Sequence, residues 1–149
     1  MIKKRIRIFW VMLGMAILLC SCSPKDLQQI SVADVKAYLV EKDYYREDMT
    51  REKIKGYYLF GGEMTNEWRL YFYDFGFDRE SMDGVIKDIT SRIDPLEEMK
   101  EANYEIYVTD NIIGYNLYAR VNNTILVING DRNMDAVIQM AKDLGYYPE

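Results

Sequence analysis

The chain of 149 residues contains no histidine. That absence removes the commonest general base, the commonest transition-metal ligand and the usual activator of a serine or cysteine nucleophile. Cysteine is nearly absent as well, with Cys20 and Cys22 two positions apart and no thiol after them. Long hydrophobic runs are missing too. The longest uncharged apolar stretch, Ile8 to Leu19, has twelve residues, whereas a helix crossing a bilayer needs roughly 20. No G-x-S-x-G or S-x-x-K pattern is present, so the familiar serine-hydrolase motifs are excluded. Ser31 and Ser81 fit helix caps, and Ser91 falls inside a helix beside Arg92.

What is present divides unevenly along the chain. Lys3, Lys4, Arg5 and Arg7 precede the short apolar stretch, and small or polar residues follow it. A basic segment, an apolar segment and then small residues make up the three-part plan of a secretory signal. The tetrad Leu19-Cys20-Ser21-Cys22 then resembles the lipobox of bacterial lipoproteins: an aliphatic residue, a small one, Gly, Ala or Ser, and the lipidated cysteine. Cys20 takes the slot usually held by Ala, Ser, Thr or Val. The other frame, with Cys20 as acceptor, puts the bulky Leu19 at the cleavage position and fits less well. The resemblance implies that residues 1–21 are removed and that Cys22 becomes a diacylglyceryl thioether on the extracytoplasmic face of the cell membrane. Residues 22–30 would form the lipidated N-terminus and a short tether, and residues 31–149 a single domain. Lipobox, size and element rhythm together also resemble, diffusely, the small lipoproteins of Gram-positive bacteria.

Loss of the signal would change the charge. The four basic residues leave with it, so 15 Lys and Arg face 24 Asp and Glu, a formal net charge of −9. A domain so acidic is poorly suited to nucleic acid, whose phosphates require a basic face. Anionic lipid is equally unfavourable, so the acyl chains must supply the membrane affinity. The expected partners are the membrane, through Cys22, and an envelope protein or polymer of unknown identity.

Periodicity beyond residue 31 predicts the order α-ββ-α-βββ-α. This is an α+β fold, with an antiparallel sheet of about five strands and helices packed on it. The first helix is expected over 31–42, with Ser31 and Asp34 as a capping box. Residues 43–56 read as a mixed-charge loop with one helical turn from Thr50 to Lys55. Strands are expected near Tyr57–Phe60 and Glu67–Asp74, with Gly61 and Gly62 as turn material between them. A long helix should start at Ser81 and kink or restart at Asp94-Pro95. Three strands, Tyr104–Thr109, Ile112–Val121 and Thr124–Asn129, precede a last helix over about 132–144, with Asp131 as its cap.

Three constellations invite chemistry. Asp131, Asn133 and Asp135 have the spacing that opens an EF-hand loop, but Ala136 and Lys142 occupy its glycine and bidentate-glutamate positions. Asp74, Asp78 and Glu80 in "DFGFDRE" can gather a hard cation, or simply favour the helix N-terminus behind them. Thirteen tyrosines suggest an interaction strip of Tyr57, Tyr71 and Tyr73, since tyrosine joins apolar area to a polar tip. The alternative is that strands favour aromatics anyway and the helices cover that face. The sequence thus leads to a non-enzymatic interaction module without a cofactor. Its rival is a small carboxylate-based metal-binding or enzymatic domain.

Overall fold

The structure is a computed structural model describing residues 26–54, 56–64 and 67–149. The signal, the lipobox and Cys22 lie outside the described residues. No described helix is long and apolar enough to cross a membrane.

The elements follow one another as α1 (Val32–Glu41), β1 (Tyr45–Ile54), β2 (Tyr57–Glu63), β3 (Glu67–Asp74), α2 (Arg79–Thr90), β4 (Glu97–Lys100), β5 (Tyr104–Asp110), β6 (Tyr115–Val121), β7 (Thr124–Asp131) and α3 (Met134–Asp143). Among the described residues, seven strands form one sheet in the spatial order β1-β2-β3-β7-β6-β5-β4, antiparallel at every junction. The α+β class and the antiparallel sheet agree with the sequence reading. The count of about five strands and the order α-ββ-α-βββ-α do not: the order is α-βββ-α-ββββ-α.

Both additional strands are at the edges. β1 occupies "YREDMTREKI", where charge hides any alternation. It pairs with β2 through shifts in register between Arg46, Arg51 and Ile54, the irregularity that commonly blunts an exposed edge. β4 follows Asp94-Pro95, which reads locally as a helix start. Instead the Leu96 amide donates to the Val108 carbonyl at 2.8 Å, and Glu97 to Lys100 pair with β5. The helix expected to continue through this segment ends at Thr90.

Gly61 and Gly62 belong to β2 rather than to a turn, because other groups occupy the space of their side chains. A Cβ on Gly62 would lie 2.3 Å from the Trp68 ring, and one on Gly61 2.1 Å from Met49 Cβ. Caps also sit differently from the sequence reading at two helices. Asp78, not Ser81, caps α2, and Asn133, not Asp131, caps α3. At α1 the expected capping box is present, with the Asp34 amide donating to Ser31 Oγ at 3.2 Å and the Ser31 amide to Asp34 Oδ2 at 2.9 Å.

One sheet face carries the main core. Phe60, Trp68, Leu70, Phe72, Ile106, Val108, Leu117, Ala119, Leu126 and Ile128 pack there against Val35 and Leu39 of α1 and Val137, Met140 and Ala141 of α3. On the other face α2 covers a smaller cluster, in which Met82 meets Ile125 and Val127. One helix cannot cover seven strands, and part of this second face stays open.

Candidate functional site

Residues that pair across neighbouring strands share a face, so the register shows what the second face presents. One row reads Tyr73, Ile125, Arg120 and Glu105 across β3, β7, β6 and β5. The next reads Tyr71, Val127, Tyr118 and Tyr107. Met82, Val85 and Ile86 of α2 pack over these two rows. The third row, beyond the helix, is Arg69, Asn129, Asn116 and Thr109. It is polar throughout, although it crosses the centre of the sheet.

Arg69, Asn129 and Asn116 of that row form the floor of a groove of about 410 Å³, lined also by Tyr71, Tyr118, Asn111 and Ile113. Asn116 is almost fully buried and donates from Nδ2 to the Gly114 carbonyl at 3.1 Å. Asn129 Oδ1 is buried without a hydrogen-bond partner. Arg69 donates to the Trp68 carbonyl at 2.9 Å. Burial holds the Tyr118 phenol above its ordinary pKa, in keeping with a ring that is half enclosed between the helix and the groove.

The loop between β5 and β6 makes one wall. Asn111 Oδ1 accepts from the Ile113 amide at 2.8 Å and from the Gly114 amide at 3.2 Å, folding the loop into a tight turn. Gly114 lets that turn close onto β7, since a Cβ there would lie 2.4 Å from the Asp131 carbonyl oxygen. Ile112 and Ile113 project outward, Ile112 fully exposed and Ile113 two-thirds exposed (66%). A second hollow of about 380 Å³ shares Asn111 and Tyr118 with the groove and runs on to Pro95, Leu96 and Thr109. The two hollows thus continue across the open face.

The opposite end of the sheet receives the chain from its N-terminal side. The Leu27 carbonyl accepts from Asn103 Nδ2 at 2.9 Å, and Gln29 Oε1 accepts from the Asn123 amide at 3.4 Å. Asn122 and Asn123 follow β6, whereas the groove loop precedes it. Entry point and groove are therefore separated by the length of that strand, about 20 Å at roughly 3.3 Å per residue.

The sequence-derived candidates fall elsewhere. Tyr57, Tyr71 and Tyr73 do come together, with ring centroids 5.7 Å (Tyr57–Tyr71) and 4.8 Å (Tyr57–Tyr73) apart. Phe75 stacks on Tyr73 at 5.8 Å. The strip is half-buried, and burial followed by the neighbouring Tyr57 and Tyr71 raises the Tyr73 pKa. Tyr71 alone of the three also lines the groove. Asp74, Asp78 and Glu80 are exposed. Asp74 Oδ1 accepts from the Gly76 amide at 3.0 Å, and Asp78 Oδ1 from the Ser81 amide at 3.1 Å. The cap bond is also what holds the Asp78 carboxyl below its ordinary range. Glu80 lies in the first turn of α2, where a negative charge is favoured. Among the described residues no group of three or more Asp or Glu is placed to hold a metal ion. Asp131 Oδ1 accepts from the Asn133 amide at 2.8 Å, so the EF-hand-like spacing serves the start of α3.

Sequence reasoning missed Asn116, Asn129, Asn111 and Arg69. One signal was legible: asparagine is depleted in strands, yet one interrupts the apolar alternation of each central strand, β6 and β7. No protein-family model matches the chain, nor does any curated protein or solved structure.

Proposed function

We propose that the protein is a lipid-anchored, extracytoplasmic binding module of the cell envelope. It is held to the membrane through Cys22 and has no catalytic role of its own. The observation that carries the binding reading is the polar row Arg69-Asn129-Asn116-Thr109. Amides in the centre of a sheet are costly unless satisfied, and departures from local preference of this kind gather at functional sites. The groove above the row falls within the range of small-ligand sites.

The lipobox tetrad supports the anchoring half of the reading. Between Cys22 and Asp26 the chain spans at most about 13 Å, at roughly 3.3 Å per residue. The rim of Asn103 and Asn123 would then face the bilayer, and the groove and Ile112 would point away from it. Fractionation of cells expressing the full chain tests this. Cys22→Ala should release the protein from the membrane fraction, and Cys20→Ala should leave it there. The reverse pattern would transfer the anchor to Cys20 and overturn the frame.

A further inference from the structure

We infer that the groove on the open sheet face binds a neutral saccharide chain. The inference rests on the binding-module reading above and names the ligand class for that site. Three features of the groove select this chemistry.

The floor supplies hydrogen-bonding groups of both kinds. Asparagine side chains donate and accept and the guanidinium donates, while the Thr109 hydroxyl in the adjoining hollow does both. A sugar presents the same mixture in its hydroxyls. The flanks supply aromatic rings: Tyr71 and Tyr118 stand one row from the amides, on either side of Val127. Pyranose rings carry apolar C–H faces that pack on the electron-rich face of such rings. The track is also extended. The row crosses β3, β7, β6 and β5, three inter-strand steps of about 4.8 Å, and the second hollow continues it past Tyr118 to Leu96. A chain of sugars fits a track better than a single compact ligand does.

Other polymers fit less well. A formal net charge of −9 after signal removal opposes polyanions. An extended peptide is usually captured by pairing with a free strand edge. The groove lies on a face, and the edge strands β1 and β4 are respectively bulged and only four residues long.

The test uses the full chain in a polyoxyethylene detergent, which carries no sugar headgroup. It is titrated calorimetrically with N-acetylglucosamine tetramer, cellotetraose, a galacturonate tetramer and a blocked tetra-alanine. At least one neutral tetrasaccharide should bind saturably, and the acidic tetramer and the peptide should not. Ile113→Glu should weaken that binding at least tenfold; the exposure of Ile113 keeps the fold indifferent to the change. Tyr118→Ala should weaken it as much. Ile112→Glu, which lies off the groove, should leave it unchanged. Failure of both neutral sugars, preference for the peptide or the acidic chain, or full affinity in Ile113→Glu would overturn the saccharide assignment. Fractionation of Cys22→Ala reads the anchor separately. An anchored protein that ignores sugars loses only the ligand class, and a sugar-binding protein that is never membrane-bound loses only the anchor.

Discussion

At Gly62 the β2 backbone passes directly beneath the buried Trp68 ring. Gly62→Ala must displace that ring or the strand, and overpacking of this kind costs about 1–3 kcal/mol. Gly84 is the contrasting case, exposed within α2 with nothing near a Cβ. Gly84→Ala should gain up to about 1 kcal/mol from helix propensity alone. Urea midpoints of the two variants should therefore move in opposite directions. Tyr146 sets a second residue-level constraint. It is fully buried against Phe72 and its hydroxyl bonds Thr124. Burial pushes its phenol up to about 12, while hydrogen bonds from Thr124 and Ile30 pull the other way. In the unfolded chain the phenol titrates near 10, so the folded form holds its proton more tightly. Ionisation of this phenol therefore removes up to about 3 kcal/mol of stability, none of it below about pH 10 and all of it once pH has risen through about 12. Tyr146→Phe should cost about 1 kcal/mol at pH 8 and flatten the decline of the urea midpoint between pH 9.5 and 11.5. An unchanged alkaline slope would mean that other phenols carry it.

At the scale of elements, β1 depends on one hydroxyl. Thr50 is buried and donates to the Arg46 carbonyl at 2.7 Å while accepting from the Gly61 amide at 3.1 Å. It thereby bridges the break in register with bonds the regular ladder lacks there. Thr50→Val keeps the shape but leaves the buried Gly61 amide unsatisfied, at a cost of about 1–3 kcal/mol. Hydrogen exchange should show β1 opening first in this variant while β3 and β7 stay protected. The same strand shows why part of the fold escaped the sequence. β3 and β6 alternate between the main-core face and the second face and were legible as strands, although β6 begins at Tyr115 and not at Ile112. β1 and β4 are edges whose identity comes from the partner strand, so charge in one and an Asp-Pro pair in the other pointed elsewhere. Asp78 and Asn133 took the capping positions assigned to Ser81 and Asp131 because caps depend on local backbone geometry, which spacing alone leaves open by a few residues.

At the scale of the molecule, among the described residues, two helices seal one face of the sheet and a third covers part of the other. The open remainder lies at the end away from chain entry, which joins the proposed anchor and the proposed groove in one geometry. The sequence by itself determined the α+β class and the antiparallel pairing within each β group, because alternation and short turns are local signals. It also carried the case for export and lipidation, which rests on a contiguous tetrad. The tertiary structure decided the seven-strand order, the half-buried packing of Tyr71 and Tyr73 against α2 and the alignment of Arg69, Asn129, Asn116 and Thr109. Those four residues lie on four strands and up to 60 positions apart. Only cross-strand register brings them into one row, and register depends on how distant segments pair.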